Sequence, residues 1–197
     1  MTVKLRLQGL LLVICLLTSI GAVQAGAGGV FGDAPDPTYP TLLASNGPRH
    51  AVGALRLGVN IDSEADGQPT ADATGDDLNG FDDEDGVIFM SAIIPGSAAN
   101  VDVIASGPGL LNAWYDFNLN GSFLDAGEQI FTDQALAAGI NSLGFSVPAG
   151  AVMGDTFARF RFDSGGGLSP TGLAADGEVE DYFISTTPVD LQSFSVE

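Results

Sequence analysis

Between residues 87 and 185 the chain breaks into short runs of β-branched and aromatic residues, each closed by Gly, Pro or Asn-containing punctuation. No window there sustains a helical period beyond the short stretch 134–138. The pattern predicts strands at 87–90, 101–105, 110–115, 130–132, 142–147, 156–162 and 182–185. A further half-buried strand is expected at 55–61, where Leu55, Leu57, Val59 and Ile61 alternate with Arg56, Gly58 and Asn60. Many short strands with regular turns specify an all-β fold, an antiparallel β-sandwich of jelly-roll or Ig-like type. Phe89, Trp114, Phe145, Phe160 and Phe162 are the expected core, each contributing about 1.5–3 kcal/mol on burial.

The first residues do not belong to that domain. Lys4 and Arg6 precede an apolar run over 7–20, and Val23-Gln-Ala25 places small residues at the positions a signal peptidase reads. Residues 1–25 are therefore expected to be a secretory signal peptide. The run is short for a membrane span, and Ile14 before Cys15 is too bulky for a lipoprotein signal. The domain is expected over 26–186, opening with a Pro/Gly-rich extended arm at 26–50 and followed by a tail or linker at 187–197.

Removing Lys4 and Arg6 leaves four cationic side chains against 25 acidic ones, a formal charge of −21 instead of −19. The processed chain then has no lysine and no cysteine, so its fold rests on a hydrophobic core, helped by metal if metal binds. Its charge repels nucleic acid and anionic lipid head groups. The expected location is secreted, extracellular or at the cell surface, with no membrane span after cleavage.

Two acidic stretches carry the candidate chemistry. In the first, Asp116, Asn118 and Asn120 stand at alternate positions, Gly121 follows, and Asp125 and Glu128 complete an oxygen-rich loop. Calcium takes six to eight oxygens at irregular angles, which such a loop supplies. The match to a helix-loop-helix calcium site is partial, because the twelfth position is Gly127 and the carboxylate arrives one residue late. An ion-free Asx-rich hairpin turn is the alternative. The second stretch offers Asp76, Asp77, Asn79, Asp82, Asp83 and Asp85 as ligands of a second ion, against a simply solvated loop.

Arg159 and Arg161 share one strand face and call for acidic neighbours. Glu178, Glu180 and Asp181 are the candidates, and they serve equally as further calcium ligands. His50, the only histidine, reads as a packed side chain rather than a base.

With Gly177-Glu-Val-Glu-Asp-Tyr182 the chain resembles the GEVED domain family of secreted bacterial proteins. The likeness extends through Phe31-Gly-Asp-Ala-Pro-Asp36, Asn46-Gly-Pro-Arg-His50, Asp76-Asp-Leu-Asn-Gly80, Asp82-Asp-Glu-Asp-Gly86, Asp116-Phe-Asn118, Gly127-Glu-Gln129, Ala158-Arg-Phe-Arg-Phe162 and Leu168-Ser-Pro-Thr-Gly172. It departs at Val30, where an acidic residue is common, and at Pro48, where a small one is. The resemblance implies a β-sandwich module of exported surface proteins and no known reaction. The expected function is a calcium-stabilised, non-catalytic module with a structural, adhesive or matrix role, whose partners are calcium and surface glycans or other extracellular proteins. The alternatives are a carbohydrate-binding module, for which Trp114, Tyr39, Tyr115 and Tyr182 are few aromatics, and a carboxylate-based hydrolase. None of Gly-x-Ser-x-Gly, His-Glu-x-x-His or a phosphate loop occurs.

Overall fold

The computed structural model describes residues 28–75 and 84–185. The expected signal peptide at 1–25, the tail at 187–197, and Asp76, Asp77, Asn79, Asp82 and Asp83 lie outside the described residues.

Among the described residues ten strands and one 3-10 turn follow in order: β1 (Gly29–Phe31), the turn (Leu43–Ser45), β2 (Arg49–Ala51), β3 (Val87–Phe89), β4 (Ala98–Ala105), β5 (Gly109–Tyr115), β6 (Gln129–Leu136), β7 (Gly139–Ser146), β8 (Asp155–Asp163), β9 (Leu173–Ala174) and β10 (Glu178–Ser185). They form a four-stranded sheet β10-β8-β5-β6, a three-stranded sheet β3-β4-β7 and a small sheet β1-β2-β9. Every pairing is antiparallel except β2 with β9.

The two larger sheets share one apolar core and make a β-sandwich-like fold. Val87, Val101, Val103 and Phe145 from one sheet meet Leu111, Ala113, Tyr115, Phe160 and Phe162 from the other. Edge-on aromatic contacts span the gap, with Phe131 and Phe145 centroids 5.9 Å apart and Phe89 and Phe160 6.1 Å apart.

Alternation along β5 and β8 sends the intervening residues to the opposite face. There Trp114 and Phe157 join Ala34, Tyr39, Ala73 and Phe123 in a second apolar cluster. The Pro/Gly-rich arm supplies that cover. It is largely extended, but it folds into β1, β2 and the 3-10 turn, and both its strands pack against β10. The central strands β5 and β8 are thereby buried on both faces, while edge strand β6 keeps one face exposed.

Two expected elements are corrected. Residues 55–61 form no strand: Leu57 is fully buried and makes an isolated bridge with Ala105, Gly58 turns with φ +53°, and Val59 is 69% exposed. Leu57 N–H donates to the Glu178 carboxylate instead of to a ladder partner. Residues 134–138 are not helical, because β6 continues to Leu136, which pairs with Gly109 before the chain turns into β7. Pairing with β5 overrides the weak local preference.

Candidate functional site

The register of β8 against β10 sorts the acidic hexapeptide by face. Asp181 stands opposite Arg159 and Val179 opposite Arg161, whereas Glu178 and Glu180 stand opposite Phe162 and Phe160. Asp181 is the partner that Arg159 needs: Nε reaches Oδ1 at 2.6 Å and Nη2 reaches Oδ2 at 2.7 Å. Asp181 Oδ2 also accepts the Asp33 and Ala34 amides at 3.0 and 2.9 Å. Arg159 Nη1 donates to the carbonyls of Pro40 and Pro170, Nη2 donates to Thr41 Oγ1, and the guanidinium carbon lies 5.5 Å from the Phe123 ring centroid. One buried pair thus joins β8, β10, the arm and the loop before β9.

Arg161 has a different partner. Its Nε donates to His50 Nε2 at 3.1 Å, and its other nitrogens donate to the carbonyls of Ser169, Thr171 and Gly172. His50 Nδ1 lies 2.7 Å from the Asp176 carbonyl, which fixes the tautomer with the proton on Nδ1. Burial, reinforced by the Arg161 guanidinium, holds the His50 imidazole down to about 3. The histidine is therefore neutral and packed.

Glu178 and Glu180 point to the sandwich side, away from the two arginines, and so differ from the expected role of arginine partners. Both are buried; Glu178 accepts the Leu57 amide, and Glu180 accepts the Gly86 amide at 2.9 Å and the Tyr182 hydroxyl at 3.0 Å. Asp85 accepts the Val59 amide at 2.8 Å and Asn60 Nδ2 at 3.0 Å.

The loop between β5 and β6 wraps around Asp116. Its Oδ1 accepts the Leu119 amide at 2.7 Å, and its Oδ2 accepts the Gly121 amide at 2.8 Å and the Tyr39 hydroxyl at 2.6 Å. Gly121 has φ +81°, which the tight return of the loop requires. Asn118 Oδ1 accepts the Asn120 amide, Asn120 Oδ1 accepts the Ser122 amide, and Asn120 Nδ2 donates to Asp125 at 2.8 Å. These are Asx-turn contacts.

Glu128 is the exception. It is 2% exposed, its Oε2 accepts a long 3.3 Å bond from the Asp125 amide, and its Oε1 has no hydrogen-bond partner within normal distance. Burial, with the charge of Asp116, pushes its carboxyl up to about 7, although the backbone amides of Asp125 and Asn118 pull the other way. Among the described residues no three His, Cys, Asp or Glu side chains converge as a metal-ligand group.

Residues 110–185 match the GEVED domain family. The chain carries a GEVED domain. No curated protein and no solved structure matches the chain. The GEVED hexapeptide begins with Gly177 at φ +87°, its backbone packed against the Phe162 carbonyl, and continues as β10. In this GEVED domain the motif is a strand with a divided duty, Asp181 on the arm side and Glu178 and Glu180 on the sandwich side. Sequence reasoning missed Tyr39 and the Asp33 and Ala34 amides as parts of the buried network; it read His50 as a packed side chain, as the structure has it, but not as the partner of Arg161. Period-two alternation alone separates Asp181 from Glu178 and Glu180; no local signal brings Tyr39 to Asp116, 77 residues away. No helix among the described residues is long and apolar enough to cross a membrane.

Proposed function

We propose that the chain is an exported, non-catalytic structural module with an adhesive or matrix-associated role, its fold reinforced by calcium. The observation that carries this reading is the buried polar network of Arg159, Asp181, Arg161 and His50. The side chains best equipped for acid–base or anion chemistry are inside the protein and hydrogen-bonded to backbone, where they tie the arm to the sheet. His50, held neutral with both ring nitrogens engaged, has no capacity left to act as a base near neutral pH.

Calcium suits this reading because carboxylates are abundant and cations few, so a divalent ion offsets repulsion that arginine does not. The proposed ligands remain Asp116, Asn118, Asn120, Asp125 and Glu128, with the stretch ending at Asp85 as a second region. The carbohydrate-binding alternative is weakened by the burial of Trp114, Tyr39 and Tyr115, which leaves those rings no sugar face to stack on.

Secretion and surface retention are tested by fractionating cells that express the full chain: recovery of the domain in the cytoplasm with residues 1–25 uncleaved would refute export. A glycan array separates the adhesive reading from the sugar-binding one, which predicts saturable binding to a defined oligosaccharide.

A further inference from the structure

A free strand edge presents unpaired N–H and C=O groups, and proteins blunt it with charge, bulges, shortness or cover. β10 carries Glu178, Glu180 and Asp181 and has β1 and β2 packed against it. β6 is broken by register shifts against β5 and by Asp133 at φ +46°. β1 and β3 have three residues each and β9 has two. β7 has none of these guards: its eight residues Gly139–Ser146 hold no charge and no proline, and they pair with β4 without a shift. Hydrogen bonds fix which of its groups look outward. Ile104 N–H donates to the Gly86 carbonyl at 2.8 Å and Ile104 C=O accepts the Gly58 amide at 2.9 Å, so the even-numbered residues of β4 turn their backbone away from β7. Just beyond the two strands, Val147 N–H donates to the Ser97 carbonyl at 2.9 Å, so it is the odd-numbered residues that bond between them. The N–H and C=O groups of Ile140, Ser142 and Gly144 therefore line the outer edge, where no strand among the described residues pairs with them.

We infer that the β7 edge is the contact between two copies of this chain, which join antiparallel about a two-fold axis at Ser142. The strand's own pattern selects a second copy. Ile140 is 70% exposed, Gly144 has no side chain, and the two stand symmetrically on either side of Ser142. Antiparallel pairing of two identical strands about Ser142 sets each Ile140 opposite the Gly144 of the other copy, so that an apolar side chain and a bare stretch of backbone cover one another. Each pair joins residues whose backbone groups point outward, so both hydrogen bonds of the pair are exchanged, and the side chains stay on one face of a continuous sheet. Charge favours the same edge. The chain carries a formal charge of −19, yet β7 contributes nothing to it, and the nearest acid on this sheet, Asp102, sits one strand in, its Oδ1 accepting the Ser142 hydroxyl at 2.6 Å. Across the joined edge the two Asp102 residues are three strand spacings apart, about 14 Å, beyond the screening length of about 8 Å at physiological salt.

Sedimentation velocity of the full chain, from micromolar to near-millimolar concentration in about 0.15 M and about 0.02 M salt, is the test. The wild type is expected to double its mass as concentration rises, less readily at low salt, and to stop at the dimer. Hydrogen exchange at the Ile140, Ser142 and Gly144 amides should slow on association, while the exposed edge of β6 is unaffected. Ser142→Pro removes one outward donor and no bond to β4, and Ile140→Lys changes only an exposed side chain. Each should weaken association by about tenfold or more. Thr132→Lys, exposed on β6, is the control and should leave it unchanged. A monomer at every concentration and both salts would overturn the inference, as would association that survives in the β7 variants or is lost equally in Thr132→Lys. Growth beyond the dimer would overturn the two-fold pairing, and association without slowed exchange at the three amides would show that faces meet rather than edges. Should Ser142→Pro not fold, Ile140→Lys decides.

Discussion

Arg159 Nε and Asp181 Oδ1 lie 2.6 Å apart with both side chains fully removed from solvent. A buried ion pair is tolerated when its geometry is bidentate and its remaining donors and acceptors are filled, and both conditions hold here. The pair does more than neutralise charge. It collects two carbonyls and two amides from segments far apart in sequence, and so decides where the arm sits.

Asp181→Asn is expected to destabilise the domain by about 3–5 kcal/mol, since it leaves the Arg159 charge buried without its counterion. Urea unfolding monitored through Trp114 measures it. The double change Arg159→Met with Asp181→Leu is expected to remain clearly destabilising, because the Pro40 and Pro170 carbonyls and the Asp33 and Ala34 amides lose their partners. A double variant as stable as wild type would show that the arm is held by apolar packing alone.

The His50 imidazole is held down to about 3 by burial and by Arg161. A depressed histidine stabilises the fold only while the unfolded chain is also neutral. Its contribution is complete above about pH 6.5 and falls, by up to roughly 1.4 kcal/mol per pH unit, as pH drops from about 6.5 towards 3. Urea midpoints at pH 7 and pH 4.5 should therefore differ more for the wild type than for His50→Asn. Identical pH slopes in the two proteins would refute the assignment.

Tyr39→Phe removes one hydroxyl and keeps the ring contacts with Phe123 and Phe157. Loss of a buried hydrogen bond to a carboxylate is worth about 1.5–3 kcal/mol. The change should lower the unfolding midpoint and increase hydrogen exchange across residues 28–45 more than in the β3-β4-β7 sheet. Uniform exchange changes across the domain would argue against a local tie.

Gly177→Ala places a methyl group on a residue at φ +87°, directly against the Phe162 carbonyl. Backbone strain and overpacking each cost about 1–3 kcal/mol, so the variant should be strongly destabilised or fail to fold. Circular dichroism and a urea titration of purified protein report it. Gly139→Ala is the control: its φ is +94°, but a Cβ there meets nothing within 4 Å, so it should cost the strain alone.

The strands of the sandwich were legible because their signals are local. Alternation over 156–162 and turn residues on either side are enough to place β8, and the expected runs at 87–90, 101–105, 110–115 and 142–147 each overlap a strand of the fold. The same rule failed at 55–61, where alternation is present but pairing with the end of β4 stops at the single Leu57–Ala105 bridge, because Gly58 turns the chain at φ +53°. Leu57 there enters the core, with Leu55 packed partly buried against it.

The sequence by itself determined that this chain is all-β, that it carries the GEVED signature, and that Arg159 and Arg161 share a face needing partners. Tertiary structure alone decided which partners they take. Asp181 reaches Arg159 because the β8–β10 register puts them opposite, and Glu178 and Glu180 fall on the other face because side chains alternate along a strand. His50 reaches Arg161, and Tyr39 reaches Asp116, only because the arm lies across the four-stranded sheet. Periodicity is written in neighbouring residues, whereas register and layer stacking arise from contacts between residues distant in the chain.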